Sequence, residues 1–132
     1  MTDHTPNNLR TPLSRVRHLG SARSGTAHFW HQRLTSVANV PLTIAVVVII
    51  MALLGRNHAA VVQILGSTFV AITMLLFVVS SVYHMWLGMQ VIIEDYVHDE
   101  LTKYISLMSN TFFSFAVGLA AVFAILKLSF GL

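Results

Sequence analysis

The sequence predicts an all-α integral membrane protein: three transmembrane helices behind a basic N-terminal segment on the cytoplasmic side. Composition is the first reason. Of 132 residues, 55% are hydrophobic and only 10% charged, with a mean hydropathy of +0.73, whereas a soluble domain carries roughly 25% charged residues. Patterning is the second. The apolar residues gather into long runs, and a bilayer crossing takes about 20 of them. Charge placement is the third: Arg10, Arg15, Arg17, Arg23 and Arg33 all precede the first run. The net charge of +3 therefore reads as a topology signal and not as a surface for nucleic acid, which is not an expected partner. The chain has no cysteine, which excludes disulfides, thiolate metal sites and a cysteine-held iron–sulfur cluster within it.

Residues 1–33 form the expected cytoplasmic-side segment and residues 34–132 the membrane unit. Pro6, Pro12, Gly20 and Gly25 interrupt any long helix over residues 1–27, so that stretch is expected to lie extended on a membrane or partner surface. It does not read as a cleaved signal peptide, because its basic region is too long and no small-x-small site follows a short apolar core. Residues 27–38 make an amphipathic lead-in, with Trp30 at headgroup level and Arg33 about one turn inside it.

The first span is expected over residues 34–54. Pro41 lies near its start, where a membrane helix tolerates it. Gly55-Arg56-Asn57-His58 is so short a loop that its two helices must be antiparallel neighbours. The second helix is expected to run over residues 60–97, more than about 50 Å at the helical rise per residue, so its acidic end projects from the hydrocarbon. His98-Asp99-Glu100 then turns the chain into a third span over residues 104–128, with Lys127 placed to snorkel outward. Three crossings put the N-terminus and the turn at residues 95–103 on one side, Arg56 and the C-terminus on the other. In a bacterial inner membrane the N-terminus is then cytoplasmic and the C-terminus periplasmic.

One titratable group sits deep in the second span. Counting about 100° per residue from His84, the residues Gly66, Thr73, Phe77, Ser80, Gly88, Val91 and Asp95 fall within about 40° of the same face. Such a stripe of small and polar residues suits close approach of another helix or of a flat ligand. His84 then has three readings: a hydrogen bond to a neighbouring helix, a station on a proton path, or an axial ligand of haem through a ring nitrogen. His28 and His31 precede the first span, and His58 and His98 lie in turns. A second histidine ligand to such a haem must therefore come from another chain. Arg33 is either a lipid-phosphate anchor or the partner of an anionic ligand group. Asp95 and Tyr96 end the second helix about 16 Å along its axis from His84. They are either ordinary interfacial residues or a quinone contact, the phenol donating to a quinone carbonyl and the carboxylate supporting it.

The run from His84 through Gly88-Met89 to Asp95-Tyr96-Val97 resembles the small hydrophobic membrane anchor of succinate dehydrogenase, respiratory complex II. Gly25-Thr26-Ala27-His28-Phe29-Trp30-His31-Gln32-Arg33-Leu34-Thr35 is similar to the segment that opens the first helix of these anchors. The resemblance implies that His84 is one axial ligand of the iron of haem b, shared with the larger cytochrome b protein of the complex. It implies that Tyr96, beside Asp95, donates a hydrogen bond to ubiquinone, and that Arg33 lies near the haem propionates. His28 and Ser81 complete the candidate cofactor-binding set. The implied partners are that cytochrome b subunit, an iron–sulfur subunit and a flavoprotein subunit, in a lipid membrane. On this reading the chain is a non-dehydrogenase subunit that passes electrons from succinate to quinone. The alternatives are the anchor of a quinol:fumarate reductase and a cofactor-free structural membrane subunit; a mitochondrial inner membrane is the lesser alternative for location.

Overall fold

The computed structural model describes residues 24–131, and these form four helices: α1 (Ser24–Leu53), α2 (His58–Leu65), α3 (Thr68–Tyr96) and α4 (Glu100–Phe130). The expected extended segment at residues 1–27 lies outside the described residues as far as residue 23; residues 24–27 already belong to α1. Three of the helices, α1, α3 and α4, are long and apolar enough to cross a membrane. Helix α1 continues through Pro41 without a break. The proline lacks one backbone donor, a loss that a long apolar helix absorbs.

The connection after α1 is a tight one. Gly55 takes the left-handed φ of 72°, a conformation that glycine enters without a Cβ clash. Asn57 then caps α2, its side-chain oxygen accepting from the Ala60 amide at 2.9 Å. The second helix departs from expectation. The segment expected to be one rod over residues 60–97 is interrupted at Gly66-Ser67, so its first two turns are the separate helix α2. Gly66 ends α2 with its amide on the Val62 carbonyl, and the Ser67 hydroxyl turns back to donate to Ile64 O at 2.8 Å. A Cβ at Gly66 would stand 3.4 Å from the Leu128 carbonyl of α4, so the break lets α2 pass close to the end of α4. Gly66 therefore does not belong to the polar stripe of α3.

Helix α3 is the central element, because both α1 and α4 pack against it. Its seam with α4 is close where Gly118 faces Val82, whose Cγ1 would lie 3.3 Å from a Cβ there. The core is small and mixed, holding Val46, Ala71, Leu87 and Ile93 together with polar residues. Thr35, Asn110 and Ser114 are buried, while Val40, Ile44, Val48, Phe112, Phe115 and Phe123 are exposed. Outward apolar groups suit a hydrocarbon solvent, and inward polar groups suit interhelical contact.

Helix α4 begins at Glu100, four residues ahead of the expected span, under the cap of Asp99. The Thr102 hydroxyl and then its amide, both donating to the carboxylate, hold the Asp99 pKa below its ordinary value of 3.8. A folded-state value below the unfolded one means that the cap contributes fully above the ordinary value and is lost as pH falls through the depressed one. Asp99→Ala is accordingly expected to speed hydrogen exchange at the Thr102 amide at neutral pH, with Asp99→Asn close to native. Equal exchange in all three proteins would show that the cap does not hold this turn.

Candidate functional site

His84 faces α1. Its Nδ1 lies 2.9 Å from Thr35 Oγ1, and Thr35 is only 9% exposed. The same hydroxyl lies 2.8 Å from the His31 carbonyl and 3.1 Å from that of Gln32. One turn toward the C-terminal end of α3, a Cβ at Gly88 would meet Gln32 Nε2 at 3.4 Å. Helix α1 thus opposes Gln32 and Thr35 to Gly88 and His84, in antiparallel register. Asn39 and Ser80 follow at the same spacing farther in. Gln32 Oε1, Asn39 Oδ1 and Ser80 Oγ are buried and without a hydrogen-bond partner among the described residues. The seam is therefore a polar stripe shared by both helices, closed at the His84–Thr35 bond.

A second set of contacts ties the helices together laterally. The Tyr83 hydroxyl and His31 Nδ1 are 2.8 Å apart, with ring centroids 5.8 Å apart. Tyr83 in turn lies against Trp86, centroid to centroid 5.7 Å. The Trp86 indole donates to Thr111 Oγ1 at 3.1 Å, and Asn110 donates to the Trp86 carbonyl at 3.0 Å. Neighbouring residues of α3 thus serve different helices: Tyr83 and His84 hold α1, and Trp86 holds α4. Two apolar grooves of about 480 and 580 Å³ open along the α3–α4 side. Neither is lined by His84, Asp95 or Tyr96.

Among the described residues no side-chain hydrogen bond joins the other expected site residues to this pair. Arg33 is exposed and its guanidinium stacks over the Phe29 ring at 5.1 Å, away from Thr35 and His84. His28 and Ser81 are half-buried. Asp95 and Tyr96 end α3 in the open; Tyr96 is 77% exposed. Among the described residues neither side chain makes a hydrogen bond, while Lys103 beside them donates to the Glu94 carbonyl at 3.1 Å. Periodicity along α3 alone did not find Thr35, Gln32 or the His31–Tyr83 pair. The sign of them lay on α1, where Gln32, Thr35 and Asn39 recur at helical spacing on one face as the chain enters its apolar run.

Asn110→Leu keeps the shape of the side chain and removes its bond to α3. It is expected to lower the stability of the assembled protein by about 1 kcal/mol, the scale of an interhelical hydrogen bond in a bilayer. A melting temperature equal to that of the native protein would show that the bond contributes nothing.

The family of succinate dehydrogenase/fumarate reductase transmembrane subunits matches residues 7–125. The succinate dehydrogenase hydrophobic membrane anchor subunit of Paracoccus denitrificans is 29% identical over 121 residues, covering 92% of this chain and 93% of its own length. That of Rickettsia bellii is 27% identical over 117 residues, 89% and 94% of the two chains. The membrane anchor subunit of Reclinomonas americana is 29% identical over 96 residues, 70% and 80% of the two. No solved structure matches significantly. With most of its length matched and its three apolar helices in place, the chain is a multi-pass membrane protein that belongs to the succinate dehydrogenase/fumarate reductase transmembrane subunit family.

Proposed function

We propose that this chain is the membrane anchor of a succinate:ubiquinone oxidoreductase, co-binding haem b through His84 and contributing Tyr96 and Asp95 to the ubiquinone reduction site. The observation that carries the proposal is one helix with two kinds of polar group. His84 is held deep in the α1–α3 seam, and Tyr96 stands exposed at the inner end of the same helix. The relatives named above support the anchor role, and the partners are then a cytochrome b subunit, an iron–sulfur subunit and a flavoprotein subunit. Topology follows from the arginines: the N-terminus and the α3–α4 turn face the cytoplasm of a bacterial inner membrane, and the C-terminus faces the periplasm.

The residues present fit a shared haem. Among the described residues no three His, Cys, Asp or Glu side chains gather as a cage for a metal ion. His84 is a lone nitrogen donor, the set that one chain contributes to an iron ligated from two sides. Its Nδ1 is engaged by Thr35, and small residues flank it in Ser80 and Gly88. Arg33 would pair with a propionate once its guanidinium leaves Phe29, with His28 and Ser81 as further contacts. Haem b bound there supplies a one-electron store close to the quinone site.

At the other end of α3, ubiquinone takes up two electrons and two protons. Tyr96 donates a hydrogen bond to a quinone carbonyl, which positions the head group and favours the charge that develops on that oxygen. Asp95, one residue earlier and open to water, orients the donor and passes protons. The quinol:fumarate reductase alternative uses the same residues in the reverse direction, which the quinone potential and the catalytic subunits decide.

In the whole complex, His84→Ala is expected to remove or shift the Soret and α bands of a low-spin b haem. An unchanged low-spin spectrum contradicts ligation and favours a packing role for the histidine. Tyr96→Phe is expected to lower quinone reduction by about tenfold, the effect of losing one hydrogen bond of ~1.4 kcal/mol. Succinate oxidation with an artificial acceptor should persist in that variant; equal loss of both activities would contradict the quinone role.

A further inference from the structure

The contacts of Thr35 bear on the tautomer of His84. A threonine hydroxyl has one proton to give and two lone pairs to receive. Thr35 Oγ1 lies 2.8 Å from the His31 carbonyl, 3.1 Å from the Gln32 carbonyl and 2.9 Å from His84 Nδ1. Both carbonyls can only accept, and the shorter contact takes the proton, as is usual for a threonine back-bonded within a helix. The third contact then needs a donor on the histidine. The opposite assignment would place the proton on Nε2, where no acceptor stands among the described residues. A bare N–H in hydrocarbon is costly, whereas a bare nitrogen lone pair is what a metal takes.

We propose that Thr35 is the positioning residue for His84: it receives the Nδ1–H, fixes the tautomer and the plane of the ring, and leaves the Nε2 lone pair for the iron. The chain of bonds runs from His84 Nδ1–H to the Thr35 hydroxyl and on to the His31 carbonyl, each polarising the next. The residue that ends this chain is itself fastened to α3, since His31 Nδ1 meets the Tyr83 hydroxyl at 2.8 Å. Positions 31 and 35 of α1 thus grip positions 83 and 84 of α3, which prevents α1 from rotating Thr35 away. A hydrogen bond from Nδ1–H makes the other ring nitrogen a stronger electron donor to a metal. The Thr35 contact therefore favours the ferric over the ferrous state.

This inference rests on the ligand role of His84 proposed above, and the test separates the two. In the assembled complex, with assembly checked by succinate oxidation with an artificial acceptor, the haem midpoint potential and low-spin electron paramagnetic resonance are compared in the native protein, Thr35→Val, Thr35→Ala, Thr35→Ser and His84→Ala. Thr35→Val and Thr35→Ala are expected to raise the ferrous-to-ferric ratio several-fold at fixed potential and to move the g values, with Thr35→Ser near native. If His84→Ala alters the spectrum while both apolar variants match native, or if Thr35→Ser behaves like them, the positioning role is overturned and ligation stands. If His84→Ala changes nothing, both fall. Should the apolar variants fail to assemble, an experimental structure of the native complex decides. Nδ1 bonded to Thr35 with Nε2 toward iron supports the role; a flipped ring, or Thr35 out of hydrogen-bond reach, overturns it.

Discussion

Hydrocarbon offers no water to a polar side chain, so an imidazole inside a bilayer has to find its partner on another helix or on a ligand. The 2.9 Å contact between His84 and Thr35 is where this chain meets that constraint, and much of its layout follows. Helix α1 must run antiparallel to α3 and in a register that sets Thr35 opposite His84 and Gln32 opposite Gly88. The glycine at position 88 leaves room for the Gln32 amide, 3.4 Å from where a Cβ would lie. The His31–Tyr83 bond adds a second attachment, from one turn earlier on α1 to the residue beside His84 on α3.

The α4 side obeys the same constraint with different groups. Asn110 and Thr111 bond the backbone and indole of Trp86, and Gly118 allows Val82 to approach closely. Each seam of α3 is therefore polar where it must be specific and small where helices must come near. The apolar side chains, by contrast, are left largely on the outside. Among the described residues, buried atoms of Gln32, Asn39, Ser80 and Ser114 lack a hydrogen-bond partner, and these are the points where each seam holds more polar capacity than its two helices use.

The fold was legible in the sequence because hydropathy and loop length decide most of a helical membrane protein. Three apolar runs and a four-residue loop at Gly55–His58 already required antiparallel neighbours. What hydropathy could not reveal was the break at Gly66-Ser67, since apolar residues continue on both sides of it and the close approach of Gly66 to the Leu128 carbonyl is a tertiary contact. At the site, periodicity placed His84 and Asp95 on one face of α3. It did not reveal Thr35, because a partner on another helix depends on register between helices. Nor could it say where the Arg33 side chain turns, and the structure sets that guanidinium over Phe29.

On the proposed function, α3 would be a scaffold with a nitrogen ligand in the α1 seam and a phenol at its C-terminal end, completed by other proteins of the complex. The most direct measurement is to purify the assembled complex through a tag on this chain, identify the proteins that accompany it and record the reduced-minus-oxidised optical spectrum. A flavoprotein and an iron–sulfur protein, co-purifying with the α band of a low-spin b haem, is the predicted result. A preparation that lacks those proteins, or that carries them without any b-type haem, would contradict it.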